Sequence, residues 1–536
     1  MFSGLVRQLQ SRIFAGIGLC AATMALIAGT IRYCVLSYNI VRFPYGLDYG
    51  EGIVWQQMRF IMTGQGYAPI DRFPAIVFHY PPLYHVTSAL TADALRMDQL
   101  AAGRLVSAIA TLITVTMIAV IVARFAKRPS LSRIQVICGI MAAMMALNSK
   151  PFFAWATVMR VDMLCLAWTL CGLYCGMCAI RFPRLVHIAA MCFVAAIFTK
   201  QTALAAPFAV FATLLLVRPR TAFAGIATGL VLALATLALL EIHTNGGFLH
   251  HIVLYNLNRF RLKSGFMLVT QLGEHVAYIS AAIAVAIVHF RSTIKGGSIA
   301  TIPERLRDDP DNARAVMLGL YLVATTAMLA LVFKSGASYN YFLEWICVLA
   351  IYAGLILVDL VSWILTPDQT RRPALALVLL PWLICLQAVL LYAMLDPDYD
   401  QKSPHSAKLE QIVSLVRDAQ HPVISDDMVA ILRGGKSVQW EPSIFAELAS
   451  EGIWPEAPFL SMIQQHHFAF FITEGRHGDG GGYDARYTPT VDNYLNRYYP
   501  ENCRIAEFYL RFPDYKTEDG AVYKNIAKKI CEPSDR

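Results

Sequence analysis

The sequence predicts a polytopic α-helical membrane protein that carries a small α/β domain at its C-terminal end. Of the 536 residues, 57% are hydrophobic and only 15% are charged, whereas a soluble protein of this length carries about 25% charged residues. The long apolar runs also stop at Leu395, where a polar stretch begins. We therefore predict a membrane part over residues 1–398, a linker over 399–408 and an extracytoplasmic domain over 409–536.

The membrane part contains about eleven apolar runs that we interpret as transmembrane helices, each of which needs about 20 residues to cross. The first run follows two arginines and resembles a signal peptide, but Arg32 and Tyr33 occupy the place of a cleavage site, so we predict an uncleaved helix. The segment 83–97 is too short to cross and should pack beside the bundle or extend the second span. The predicted spans are 13–36, 100–123, 134–149, 161–180, 185–199, 202–217, 222–242, 269–290, 314–333, 342–365 and 374–394.

Basic residues in the short loops predict the orientation of the chain. They are concentrated in alternate loops, and the positive-inside rule makes those loops cytoplasmic. The first loop, the loops 243–268 and 334–341 and the C-terminal domain then face the periplasm, in a bacterial cytoplasmic (inner) membrane with the N-terminus cytoplasmic. The same residues form no basic patch, so the net charge of +8 does not predict nucleic-acid binding. The basic residues are Arg7, Arg12, Arg124, Arg133, Arg181, Arg184, Arg218, Arg220, Arg305, Arg307, Arg371 and Arg372.

The C-terminal region reads as alternating strands and helices. PVISDD (422–427) and FAFFITE (468–474) have the pattern of buried strands, and 442–450 and 457–465 have helical pattern between them. Most of the twelve cysteines lie in apolar runs, but Cys503 is followed by a second cysteine, Cys531, in this polar region. We predict that these two form a disulfide, which an extracytoplasmic compartment permits.

The first loop, residues 41–85, is the polar segment that best fits a functional site. Asp48 and Glu51 stand at its front, and the run from Tyr80 to His85 closes it. Between them the pattern predicts an amphipathic helix lying along the membrane surface, with Gln56 and Gln57 off the apolar face. D-x-x-E before such a helix is also a capping box, a purely structural role that is compatible with a catalytic one.

Other polar residues predicted on the outer side strengthen the functional interpretation. Taken singly, each has a structural explanation, such as a local ion pair or a snorkelling lysine. Their shared location favours a substrate site, because charges at membrane depth are costly and usually functional. With Tyr80 and His85, the candidate substrate-binding residues are Arg160, Asp162, Lys200, Gln201, Arg259, Arg261, Asn340 and Glu344.

The outer first loop with its acidic pair, the amphipathic helix, Thr63-Gly64 and the closing Y-P-P-L (80–83) resemble the GT-C superfamily of membrane glycosyltransferases. The similar branch holds protein O-mannosyltransferases, lipid A aminoarabinose transferases and rhizobial lipopolysaccharide galacturonosyltransferases, and the resemblance covers about residues 1–400. In these proteins the first-loop acid is the proposed base, and K-P-P-L ends the loop. This chain has D-x-x-E instead of an adjacent D-E and Tyr80 instead of lysine. The base therefore stays open between Asp48 and Glu51, and Lys200 becomes a candidate for the donor phosphate.

The implied chemistry is inverting transfer of a sugar from a polyprenyl-phosphate donor to a lipid, glycan or protein acceptor of the cell envelope. A phosphate leaving group needs charge stabilisation, which Lys200, Arg259 or Arg261 would supply, and the acceptor hydroxyl needs a carboxylate base. No cofactor is required by the sequence. A divalent cation stays open.

Two other functions compete with this hypothesis. A secondary transporter would show internal repeats and broken helices with charge at the midplane, and we find no repeat. A lipid-linked polysaccharide polymerase or ligase would share the donor chemistry but usually lacks a first loop with two carboxylates. A non-catalytic membrane protein would leave Arg160, Lys200 and Glu344 without a role.

Overall fold

The computed structural model describes residues 2–126, 132–256, 259–294, 302–365, 375–479, 482–518, 520–524 and 531. Arg371 and Arg372, which contribute to the predicted orientation, lie outside the described residues, as does the side chain of Arg7. The helices before the C-terminal region are α1 (Phe2–Arg42), α2 (Tyr49–Met62), α3 (Leu83–Leu95), α4 (Gln99–Phe125), α5 (Ser132–Leu147), α6 (Lys150–Trp155), α7 (Asp162–Ala179), α8 (Leu185–Ile197), α9 (Ala205–Val217), α10 (Pro219–His243), α11 (Gly247–Leu249), α12 (Gly265–Glu274), α13 (Val276–Ile294), α14 (Ile302–Asp308), α15 (Pro310–Met328), α16 (Leu343–Leu365) and α17 (Leu375–Met394).

These helices confirm the prediction of a polytopic membrane fold. Seven helical segments, which include α1, α4, α7, α10, α15, α16 and α17, are long and apolar enough to cross a membrane. Helices α12 and α13 meet this test only together, bent by 75°, while α5, α8 and α9 are shorter apolar helices. Each predicted span therefore coincides with one apolar helical segment, and eleven crossings remain a prediction. Helix α3 packs against α2 and α4, as expected for a segment too short to cross.

The bundle has an inner and an outer layer. In the most apolar 18-residue stretch of α7 and of the segment that contains α16, 72% of the residues are buried inside the protein. In α10 the corresponding share is 6%. Helix α10 instead exposes large apolar side chains such as Leu239 and Ile242, an arrangement that requires an apolar solvent such as lipid.

The C-terminal region forms a four-stranded mixed sheet with helices packed around it. Strand order is β1-β2-β4-β3; β1 and β2 are parallel, and the β2–β4 and β4–β3 pairs are antiparallel. The elements are α18 (Asp398–Lys402), α19 (Ser406–Asp418), β1 (Ile424–Ser425), α20 (Met428–Arg433), α21 (Pro442–Ser450), α22 (Ala457–Gln464), β2 (Phe471–Glu474), α23 (Tyr483–Arg486), α24 (Pro489–Tyr498), β3 (Glu501–Ile505) and β4 (Phe508–Phe512).

The local predictions for this region agree with the structure. Both predicted strands are present as β1 and β2, both predicted helices as α21 and α22, and Cys503 is bonded to Cys531. The stretch predicted as a linker is helical, because α18, a 3-10 turn at Ser403–His405 and the start of α19 occupy it. Strands β3 and β4 carry no strong alternating pattern and were not predicted.

The first loop and the C-terminal region share one aromatic core. Ile70, Ala75 and Val77 are buried among C-terminal side chains that include Trp440 and Trp454. The Ala75 amide donates to the Gln439 carbonyl at 2.8 Å, and the Trp454 indole donates to the Ile70 carbonyl at 3.3 Å. The side chains of the first loop and of the C-terminal region therefore pack together across the predicted boundary between the membrane part and the C-terminal domain.

The same contact corrects the prediction for α2. This helix begins and ends where expected, but it is buried on nearly all sides from Gly50 to Met58 instead of lying with a polar face exposed. Gln56 accepts a hydrogen bond from the Val438 amide, and Gln57 donates to the Val77 carbonyl. Gln57 is satisfied at both ends, because its oxygen also contacts His85, whereas the buried Nε2 of Gln56 has no hydrogen-bond partner among the described residues.

Candidate active site

A cavity of about 690 Å³ lies where the first loop, the loops between membrane helices and the C-terminal region meet. Charged groups of both signs face it, together with aromatic rings. Its principal lining residues are Asp48, Tyr49, Gly50, His79, Tyr80, Trp155, Arg160, Lys200, Gln201, Asn256, Arg261, Lys334, Tyr341, Glu441, Glu447 and Arg486.

Glu51 does not face this cavity but is buried beneath it. Both of its carboxylate oxygens bind Arg104, at 2.7 and 2.6 Å. The carboxylate also accepts hydrogen bonds from the amides of Leu47 and Met159, at 2.8 Å each. Burial alone would raise the pKa of Glu51, but Arg104 and these amides outweigh it and lower the pKa. An ionised carboxylate with every lone pair engaged is a poor base, so the geometry favours a structural role for Glu51.

Arg104 extends this structural role to the end of α1. Its guanidinium is fully buried and donates to the carbonyls of Ile40, Phe43 and Tyr45, at 2.6 to 2.8 Å. These carbonyls lie where α1 ends at Arg42 and the first loop begins. The Glu51–Arg104 pair therefore holds the start of the first loop against α4.

Asp48 occupies a different environment, although it is only three residues away. It caps α2 through a hydrogen bond from the Gly50 amide, at 3.0 Å, forms a capping box with Glu51, and pairs with Arg160, at 3.1 Å. The contacts with Gly50 and Arg160 both use Oδ1, and the side chain is 21% exposed. The capping box is thus present, and one oxygen of Asp48 remains available to a molecule in the cavity.

Arg160 lies directly over the backbone of Gly50. A Cβ atom on residue 50 would stand 1.3 Å from Nη1 of Arg160, so only glycine permits this approach. The guanidinium also reaches the Tyr80 hydroxyl at 3.4 Å and packs over the ring of Trp155. Arg160 is therefore held against Asp48 by contacts from two places in the first loop and from the neighbouring helix α6.

Lys200 and Asp162 form a second buried pair at the edge of the cavity. Their side chains are 2.6 Å apart, and Asp162 also accepts from Asn340, at 3.0 Å, and from the Trp155 indole, at 2.8 Å. A separate pocket of about 50 Å³ is lined by this pair together with Asn340, Glu344 and mostly apolar side chains. Lys200 is thus largely committed to Asp162.

Arg261 and Lys334 provide positive charge on the cavity wall that carboxylates do not neutralise directly. Neither makes an ion pair with any residue that the structure describes. Burial and the ammonium group of Lys200 lower the pKa of Lys334. A bound anion would relieve this repulsion, so this part of the cavity is suited to a phosphate group.

A second cavity, of about 640 Å³, lies on the other side of Asp48. Asp48, Tyr49 and Arg486 line both cavities, and the Arg486 guanidinium stacks on the Tyr49 ring with its carbon 4.3 Å from the ring centroid. The second cavity takes its walls from the first loop, residues 398–408 and the C-terminal region. Its other charged or titratable lining residues are Asp398, Lys402, His405, Lys408, Asp426, Asp427, Glu474, Arg504 and Glu507.

Most of the candidates from the sequence converge on the main cavity. Asp48, Tyr80, Arg160, Lys200, Gln201 and Arg261 line it, while Asp162, Asn340 and Glu344 lie in the adjoining pocket.

Three candidates lie elsewhere. Glu51 is buried with Arg104, and His85 is buried against Gln57, at 3.1 Å. Arg259 is half-exposed and pairs with Glu451, at 2.7 Å. We correct the interpretation of these three to structural roles.

Several lining residues were missed by sequence reasoning. Tyr49 and His79 flank the motifs of the first loop, so their position in the sequence offered a signal. Glu441 and Arg486 come from the C-terminal region, and nothing in their local sequence distinguishes them. In the part of the chain that the structure describes, no group of three or more His, Cys, Asp or Glu residues is arranged to hold a metal ion.

Solved structures share this architecture over most of the chain. ArnT from Cupriavidus metallidurans in the apo state has a TM-score of 0.58 at 13% identity, covering 92% of this chain and 98% of ArnT. ArnT from the same organism bound to undecaprenyl phosphate has a TM-score of 0.56 at 13% identity, covering 93% and 97%. The archaeal oligosaccharyltransferase AglB from Archaeoglobus fulgidus, in complex with an inhibitory peptide and a dolichol-phosphate, has a TM-score of 0.49 at 11% identity, covering 94% and 77%. No family profile and no curated protein matches the sequence.

The chain therefore shares the fold of ArnT, in agreement with the resemblance to GT-C membrane glycosyltransferases found in the sequence. The likeness to ArnT includes the C-terminal region, since it covers nearly the whole of both chains. It thus extends beyond residues 1–400, where the sequence resemblance ends. At 13% identity the likeness concerns the fold, and the activity has to be argued from the residues of the site.

Proposed function

We propose that the protein is an inverting glycosyltransferase that moves a sugar from a polyprenyl-phosphate donor to a hydrophilic acceptor of the cell envelope. One observation carries the proposal: the carboxylate of Asp48 stands in the wall shared by two polar cavities. A base in this position can face an acceptor on one side while the donor sugar lies on the other. The GT-C fold makes a lipid-linked donor the natural class.

The donor would occupy the main cavity. ArnT, which shares the fold, has been solved with undecaprenyl phosphate bound, and we extend that ligand class to this chain. The phosphate would lie against Arg261 and Lys334, which form no ion pair with a described residue, although the Glu447 carboxylate acts on both charges from a longer distance. In transfer, this phosphate leaves with the electron pair of the broken bond, and the two cations stabilise its negative charge. Lys200 would form its ion pair with Asp162 and thereby help to shape this wall of the cavity, instead of binding the phosphate directly.

The acceptor would occupy the second cavity. None of its lining residues belongs to the helices of the bundle, and most of them are charged. Such a cavity suits a sugar or another hydroxyl-bearing headgroup better than an alkyl chain.

In the reaction, the acceptor oxygen attacks the anomeric carbon while its proton passes to the free oxygen of Asp48. The carbon–oxygen bond to the phosphate breaks on the opposite side, so one displacement inverts the anomeric centre. Arg160 forms an ion pair with Asp48, at 3.1 Å, and holds its side chain in place. The products are a glycosylated acceptor and polyprenyl phosphate.

The orientation follows the distribution of basic residues. We place the N-terminus in the cytoplasm and both cavities at the outer face of a bacterial cytoplasmic membrane. A polyprenyl-phosphate sugar is the expected donor there, because nucleotide sugars stay in the cytoplasm.

The test is mass spectrometry of the cell-envelope glycolipids and glycoproteins from three strains: one without the gene, one with the wild-type gene and one with Asp48→Asn. We expect one glycosylated product that only the wild-type strain makes, with the donor lipid retained in the other two. Identical envelopes in all three strains would reject the proposal. Full product formation with Asp48→Asn would exclude Asp48 as the base, and chain-length changes in a polysaccharide would favour a polymerase or ligase.

A further inference from the structure

Glu441 is a buried carboxyl group in the main cavity to which the proposed reaction gives no role. It precedes α21 in the C-terminal region, is 5% exposed and lines the cavity. Its Oε2 atom is buried and has no hydrogen-bond partner among the described residues. An unpaired carboxyl oxygen in a cavity is costly unless a ligand supplies its partner.

The surroundings of Glu441 come from three parts of the chain. The nearest basic group is His79 of the first loop, whose Nε2 lies 3.9 Å from Oε2. Arg160 faces it from the loop before α7, but that guanidinium already binds Asp48. Tyr49 of α2 and Glu447 on its own helix are the remaining titratable neighbours.

These neighbours favour the neutral form of Glu441. Burial lowers the pKa of His79 to about 3, so His79 is uncharged and forms no ion pair with Glu441 at neutral pH. Burial and Glu447 raise the pKa of Glu441, against the opposing effect of Arg160, to about 8. Asp48, by contrast, has Arg160 as a direct partner. The cavity thus holds one carboxyl group that is suited to keep its proton, Glu441, and one that is ion-paired, Asp48.

We propose that Glu441 contacts the sugar of the donor and, as a neutral carboxylic acid, hydrogen-bonds one of its hydroxyl groups. This inference rests on the proposed function. A protonated carboxyl both donates and accepts, which matches a hydroxyl group. In the proposed reaction the donor phosphate lies against Arg261 and Lys334. Glu441 faces Arg160 beside Asp48, and the anomeric carbon of the donor sugar must lie next to Asp48. The C-terminal region would then select the sugar as well as cover the site.

The experiment compares Glu441→Gln and Glu441→Ala in the full-length protein reconstituted in lipid. Glutamine is neutral and keeps both a donor and an acceptor, so at neutral pH we expect transfer within about threefold of wild type. Alanine removes the contact, and we expect KM for the donor to rise about 10-fold. Glu518→Gln, an exposed site in the same region, is the matched control and should change neither value.

The pH dependence of transfer and the infrared spectrum of the protein would not change in these ways if Glu441 had only a structural role. As pH rises through about 8, wild-type Glu441 loses its proton, so the transfer rate should fall more steeply than that of Glu441→Gln. The infrared band of a protonated carboxyl should be present in wild type and Glu518→Gln at neutral pH and weaker in Glu441→Gln.

Each other outcome overturns the proposal. Wild-type KM in Glu441→Ala would show that Glu441 does not touch the donor. Equal losses in Glu441→Gln and Glu441→Ala at neutral pH would indicate an ionised carboxylate, suited to an ammonium group instead of a hydroxyl. If the wild-type protein shows no transfer, the proposed function itself is rejected, and this inference with it. If wild type transfers the sugar and Glu441→Ala does so equally well, only this inference fails.

Discussion

Two carboxylates three residues apart in the first loop have opposite surroundings. Glu51 is fully buried, with both oxygens on Arg104 and further hydrogen bonds from backbone amides. Asp48 is partly exposed, uses one oxygen for Gly50 and Arg160, and faces two cavities. The difference shows how the two acids of one D-x-x-E motif can be separated: one holds the loop in place, and the other lines two cavities, where we propose that it acts as the base.

Glu51→Gln should have the largest effect, because it leaves the buried guanidinium of Arg104 without its countercharge. Breaking a buried pair in this way costs about 3–5 kcal/mol, which should appear in denaturant unfolding of the purified protein. Asp48→Asn is the matched control and should change the free energy of unfolding by less than about 1 kcal/mol. Equal stabilities of the two variants would contradict the division of tasks.

The same pair predicts the direction of a pH effect on stability. The pKa of Glu51 is lowered in the folded protein, so its contribution is present above the pKa of the unfolded chain and is lost as pH falls through the folded value. Wild type should therefore lose stability on acidification more steeply than Glu51→Gln.

Asp48→Asn should lower the transfer rate by about 10²- to 10⁴-fold, the usual contribution of a general base. Asparagine keeps the shape and the helix cap but does not take a proton. A single-turnover assay with bound donor measures this step separately from binding. Asp400→Asn, at a half-exposed carboxylate, should leave the rate unchanged, and a wild-type rate for Asp48→Asn would exclude it as the base.

Gly50→Ala tests the contact between the two regions without removing a charge. The added methyl group would occupy the position of the Arg160 guanidinium, so Arg160 must move away from Asp48. Displacement by about 1 Å can cost about 10²-fold in rate, and we expect a loss of this order in transfer with a folded protein. Gly64→Ser, where a Cβ meets no atom within 4 Å but φ is +75°, controls for general glycine effects, and an equal loss there would contradict the specific explanation.

Lys334→Ala should produce the smallest effect, a loss of about 10-fold in affinity for undecaprenyl phosphate. It removes one charge-assisted hydrogen bond, worth about 1.5 kcal/mol, and leaves Arg261 in place. Arg259→Ala removes only the half-exposed pair with Glu451 and should change affinity less than about threefold. A larger loss for Arg259→Ala than for Lys334→Ala would move the phosphate away from the wall that we propose.

Local patterns were sufficient to predict much of the fold. Uncharged apolar runs have one stable arrangement in lipid, so each predicted span is observed as an apolar helical segment. The capping box at Asp48, the helix that follows it and the Cys503–Cys531 disulfide also follow from short-range chemistry. The burial of Gln56 and Gln57 was not predictable, because it depends on partners at Val438 and Val77.

By itself, the sequence determined the membrane class, the order of the helices and the acidic pair of the first loop, because hydrophobicity and capping act over a few residues. Only the tertiary structure decided which acid is available, since Arg104 and Arg160 reach Glu51 and Asp48 from other elements. It alone also brought Glu441 and Arg486 into the cavity. Burial and charge pairing between distant segments depend on packing, and no local pattern records them.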